Sequence, residues 1–188
     1  MKKRQRDGQR QKVYDAEKPF RNVGEPVADI EAASKLVVKL LNNARIKRLY
    51  DHKIGKKPIR VRLTRIDSGK SHASESHIAL HPEWGLTRLV IAHELAHVIV
   101  RRTHGYYGAQ GHGPEFCAVY LDLVQAALGI EVRNQLIESF KAHRVKFRLR
   151  KKREYTQEQR RAMAENLKKA RAVAAARAYA REQPQPWN

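Results

Sequence analysis

The chain has 188 residues, with 39 Lys and Arg against 19 Asp and Glu, a formal net charge of +20 and a single cysteine. That length buries a core without covalent staples and suits one domain with extensions. One cysteine excludes an intrachain disulfide framework and a CxxC…CxxC zinc ribbon, and the apolar run at 89–92, which ends at His93, is far too short to span a membrane.

Residues 1–26 read as a basic extended arm. Six Lys or Arg and one Asp give residues 1–12 a net +5, and Gly8, Pro19, Gly24 and Pro26 are breakers. No apolar stretch follows the basic start, so no secretory signal is expected and an intracellular, reducing compartment is the default. From Asp29, a candidate N-cap, Ile30, Ala33, Leu36, Val37, Leu40, Leu41 and Ala44 recur at helical spacing, predicting one helix to about residue 50 and then a loop over 51–58. The period then falls to two: Ile59, Val61 and Leu63 alternate with Arg60, Arg62 and Thr64, a half-buried strand. A turn at 67–71 leads into residues 72–80, one or two short strands whose weak apolar alternation predicts a sheet edge. A helix is expected from residue 86 to about 102, then a glycine-rich loop over 105–113. Pro114 opens the next helix and Gly129 stops it. A shorter helix follows over 132–142. Beyond residue 145 the chain turns basic: residues 141–188 hold fifteen Lys or Arg and four Glu, net +11. Thr156 and Gln159 form a capping-box pair for an Ala-, Arg- and Lys-rich helix running to about residue 181. Its apolar face is thin, so a projecting or loosely docked helix is expected. Positive charge gathered at both ends points to a polyanion, nucleic acid above all.

The chemistry concentrates at His93-Glu94-Leu95-Ala96-His97. Residues i and i+4 of a helix lie about 40° apart around the axis, so both imidazoles share one face and can share one metal ion. Glu94 lies beside that face, placed to take a proton from an attacking water. A catalytic zinc takes three protein ligands and keeps one position open. Thr103 stands where the metzincin pattern needs histidine, which excludes that family. His112, fifteen residues after His97 and flanked by Gly111, Gly113 and Pro114, is the expected third ligand. Glu115 is the alternative, although a carboxylate in a helix's first turn also has a purely structural use.

HELAH, the fifteen-residue step and GHGPEFC at 111–117 resemble the SprT-like zinc metallopeptidases, the family of the Spartan-like protease domain. The resemblance places His93, His97 and His112 on the zinc positions and Glu94 on the catalytic glutamate. It implies an α+β, minimal zincin-like fold over about residues 27–145: a helix, a small β-sheet, the HExxH helix and a third-ligand helix. The arm 1–26 precedes it and a basic helical tail over 146–188 follows, where many bacterial relatives carry a cysteine zinc ribbon. The implied activity is zinc-dependent hydrolysis of peptide bonds, with protein substrates on or near DNA, DNA contact through the basic ends, and no membrane partner.

The rival reading is a basic nucleic-acid-binding protein with a structural zinc, which needs a fourth ligand from His104, Glu115 or Cys117. Tyr106 and Tyr107, between the ligands, are candidates for stabilising an oxyanion or for simply packing over the site. His52, His72, His77, His81 and His143 show no ligand spacing. Cys117 reads as core, and Trp84 as an anchor for the loop before the metal helix.

Overall fold

Val13, Ala16 and Phe20 recur at spacings of three and four, and they draw the N-terminal segment into the core. The structure, a computed structural model, describes residues 7–54, 57–105, 108–149 and 156–182. Arg10–Glu17 form helix α1, continued by a 3-10 turn at Lys18–Phe20. The three apolar side chains are buried, and α1 packs against the later helix Ile130–Ala142 (α6), where the Ser139 hydroxyl donates to the Ala16 carbonyl at 2.8 Å. The expected extended arm is thus corrected: residues 10–20 are helical and bury Val13, Ala16 and Phe20 in the core. Charged neighbours such as Lys12, Asp15 and Lys18 dilute a stripe of only three apolar residues, which is why the period is hard to see.

Asp29 caps α2 (Ile30–Asn42), its carboxylate accepting the Ala32 N–H at 2.7 Å. The single helix expected to residue 50 is two. Asn43 leaves helical geometry (ψ 130°) and its side-chain oxygen accepts the Arg45 N–H at 2.9 Å, capping α3 (Ala44–Ile54). Helix α3 thereby runs into the segment expected as a loop. Its Arg45 and Tyr50 donate to the buried Asp122 carboxylate at 2.6 and 2.8 Å, which satisfies a charge that burial alone would make costly.

Three short strands follow: β1 (Arg60–Leu63), β2 (His72–Ala73) and β3 (His77–Leu80), in the order β1–β3–β2. Strand β3 is parallel to β1, with Arg60 opposite His77 and Arg62 opposite Ala79, and antiparallel to β2, with His72 opposite Ala79. The expected edge is therefore the centre of the sheet. Only the two-residue β2 is an edge on that side, and Arg101 donates to its Ala73 carbonyl. Ile78, Ala79 and Leu80 are all buried, so the alternation that normally marks a half-buried strand is erased.

Helix α4 (Arg88–His104) starts at Thr87, whose hydroxyl accepts the Val90 N–H at 3.2 Å. It is buried on most sides, touching α2, α3, β2, β3 and α5 (Pro114–Leu128). Gly129, at φ 98°, ends α5, and α6 begins at once at Ile130, two residues before the expected start. These elements lie in one unit, Met1–Leu149. The second unit, Arg150–Asn188, holds α7 (Gln157–Glu182), which opens on the expected capping box: the Thr156 hydroxyl accepts from Gln159 N–H at 3.2 Å and the Gln159 side chain accepts from Thr156 N–H at 3.1 Å. The class is α+β, and among the described residues no helix is long and apolar enough to cross a membrane.

Candidate metal centre

Helix α4 carries His93 and His97 one turn apart, and the loop before α5 brings His112 to the same point. One ligating atom of each imidazole lies within 4.8 Å of the others, so the three can hold a metal ion. His93 and His112 are buried and His97 is half-buried. His104, Glu115 and Cys117 are not members of the group; Glu115 instead lies 3.9 Å from Arg148. Phe116 forms the wall behind the site, its ring 4.9, 4.4 and 4.9 Å from the rings of His93, His97 and His112, and it stacks in turn on Tyr120 at 5.6 Å.

The orientation of two ligands is set by residues from the N-terminal segment. Glu17 Oε1 lies 2.8 Å from His93 Nδ1, and Asp7 Oδ2 lies 2.7 Å from His112 Nδ1. The other Asp7 oxygen accepts the His112 backbone N–H at 3.2 Å. Gly111 is what lets Asp7 approach, since a Cβ there would stand 2.7 Å from its carboxylate. Gln9, also buried, donates to the His112 carbonyl at 2.6 Å and to the Lys146 carbonyl at 2.9 Å, and accepts the Lys146 N–H at 2.8 Å. One amide therefore pins the third-ligand loop to the chain after α6.

This arrangement suits a cation. With each Nδ1–H donating to a carboxylate, each Nε2 presents a lone pair. The Nε2 atoms of His93 and His112 face each other at 3.2 Å. Two lone pairs at that distance repel, and a shared cation removes the conflict. Bonds of 2.0–2.1 Å in a tetrahedral site put two ligand nitrogens about 3.3–3.4 Å apart, close to the separation seen.

A cleft of about 650 Å³ opens beside the triad, and its lining includes His93, Glu94, Tyr14, Glu17, Trp84, Leu89 and Val90. Glu94 is buried and its Oε2 has no hydrogen-bond partner within the protein. Burial first, then the nearby Glu17 charge, pushes its carboxyl up to about 7, against the pull of His93 and Arg101. Tyr14 lies against the ligands, 5.7 and 5.1 Å from the His93 and His112 rings. Burial, Glu94 and Glu17 push its phenol up to about 12, so it remains an O–H donor.

Sequence reasoning located His93, Glu94, His97 and His112, and the fold brings all four together. Tyr106 and Tyr107 lie outside the described residues; among the described residues, Tyr14 brings a phenol to the cleft beside the site. Cys117 is core as expected, fully buried with its thiol pushed up by burial. His81 is also buried, bonded to the Glu83 N–H at 3.2 Å and stacked on Trp84 at 4.9 Å, while Trp84 itself is exposed. Asp7, Gln9, Tyr14 and Glu17 were missed. The only available signal was that Tyr14 and Glu17 are three apart on one helix face, and nothing in the sequence links that face to residues 93 or 112. No protein-family model matches the chain, and neither a curated protein nor a solved structure shows significant similarity to it.

Proposed function

We propose that this protein is a zinc-dependent metallopeptidase of SprT-like, zincin-type architecture that cleaves proteins on or near DNA. The observation that carries this reading is the convergence of three imidazoles, one of which, His93, lines a cleft together with the buried carboxylate of Glu94. His93, His97 and His112 would hold the ion, and zinc, when bound, would supply Lewis-acid polarisation of the scissile carbonyl and of the attacking water. Glu94 takes the water's proton and delivers it to the leaving amine; its burial makes the carboxylate a better base than an exposed one. Tyr14, in the same cleft, donates its hydroxyl hydrogen to the carbonyl oxygen as charge develops there. The apolar side chains of Trp84, Leu89 and Val90 seat the substrate. A structural zinc would be closed by a fourth protein ligand, and a three-member group among the described residues favours the catalytic reading. The DNA association rests on the net charge of the two ends and on the family resemblance.

The test compares Glu94→Gln and His112→Ala for zinc content and for cleavage of an unstructured protein. Glu94→Gln should retain zinc and fold while cleavage falls by about 10²–10⁴-fold, the range for a lost general base. His112→Ala should lose zinc. Full zinc and full activity in His112→Ala would overturn the site.

A further inference from the structure

The pairing of β1, β2 and β3 sorts their side chains by charge. Residues opposite each other across a sheet share a face, so Arg60 lies beside His77, and Arg62, Ala79 and His72 form the next row. The opposite face carries Ile78, Leu80 and Ala73, which are buried, with half-buried Val61 and exposed Leu63. Arg60, Arg62 and His72 are exposed and His77 is half-buried. Arg62 Nη2 lies 3.4 Å from His77 Nε2, and the His72 and His77 rings are 6.0 Å apart.

Like charges opposite one another destabilise a sheet. Here both imidazoles are held below their usual range, by burial and then by the cations around them: Arg62 and Arg101 act on both, and Lys70 and His77 also act on His72. The acidic residues of the neighbouring loops, Asp67 and Glu75, act on other cations. Asp67 lies 3.5 Å from Arg65, and the Glu75 charge acts on Arg102. The face thus holds a concentrated positive potential that a row of anions would relieve.

We propose that this face of the sheet docks the phosphate backbone of duplex nucleic acid. Two features select that partner. The rows contain no Phe, Tyr, Trp or long aliphatic side chain, so the face has nothing to insert into a bilayer or to stack on unpaired bases. Lys70, beside His72, also lines the cleft that contains Glu94, so duplex on the sheet would lie next to the proposed peptidase site. The docking surface itself does not depend on the peptidase reading; only its use, presenting DNA-bound proteins to the cleft, rests on it.

The experiment is a fluorescence-anisotropy titration of a mixed-sequence 30-base-pair duplex with the full chain at several salt concentrations. The wild type is compared with Arg60→Gln/Arg62→Gln and with Lys47→Gln/Arg48→Gln, which removes the same charge from exposed positions on α3. Each phosphate contact contributes about −0.9 to the slope of log K against log salt, so the sheet variant should flatten the slope by roughly 1.8 and lose roughly tenfold or more in affinity at low salt. The α3 variant should change the slope by much less. Thermal melts of all three proteins establish that the fold is retained. Equal losses in the two variants would reduce the effect to net charge and overturn the proposal, as would an unchanged slope in the sheet variant. Stronger dependence on Arg60 and Arg62 for anionic vesicles or polyglutamate than for duplex would also overturn it. Because the readout is binding, an inactive cleft would leave the result intact.

Discussion

Glu17 Oε1 meets His93 Nδ1 at 2.8 Å across 76 residues of sequence, joining the N-terminal helix to the metal helix inside the core. Asp7 does the same for His112. A carboxylate on the far nitrogen of a ligating histidine sets its tautomer and ring angle, and losing such a partner typically costs 10–100-fold in metal affinity. Glu17→Gln and Asp7→Asn should therefore each weaken zinc binding by about that factor while retaining all three ligands. Competition with a chromogenic chelator measures this. Wild-type affinity in both variants would show that the two carboxylates serve only the fold.

Tyr14 faces the cleft from α1 and lies against two ligands. Tyr14→Phe keeps the ring and removes the hydroxyl. If the hydroxyl stabilises developing charge, kcat should fall on the order of 10²-fold with zinc affinity and KM near wild type. Steady-state kinetics on a peptide substrate, alongside zinc content, checks it. A change confined to KM would place Tyr14 in substrate binding instead.

Phe20, at the end of the 3-10 turn after α1, is 7% exposed. Phe20→Ala should cost about 3–5 kcal/mol, the usual range for emptying a buried aromatic site. An extended, solvated arm would instead lose almost nothing. Urea unfolding of the two proteins separates the alternatives, and a midpoint shift at unchanged m-value is expected.

The basic tail has its own test. Removing residues 150–188 takes away most of the +11 carried by residues 141–188. A tail making roughly five phosphate contacts contributes about −4.5 to the salt slope, so truncation should flatten it by that amount and weaken duplex binding most at low salt. Zinc content and cleavage of a free unstructured peptide should stay near wild type. Equal DNA affinities for the two lengths would assign the tail a solubilising role.

The sequence alone determined whatever depends on local spacing. His93 and His97 stand four positions apart, and helix geometry turns that spacing into a shared face. Asp29, Thr156 with Gln159, Pro114 and Gly129 set helix ends because capping and backbone restriction act within a turn or so of chain. The same local logic failed where neighbours diluted the signal, as at α1, or where three successive strand residues are all buried, as at Ile78, Ala79 and Leu80 of β3. Tertiary structure decided the rest. Asp7, Gln9, Tyr14 and Glu17 reach the histidine cluster only because Val13, Ala16 and Phe20 anchor the N-terminal segment in the core. Arg62 and His72 come to flank Ala79 only through strand order and register. Both are pairings over long chain separations, driven by burial and cross-strand hydrogen bonding, which no short-range period encodes.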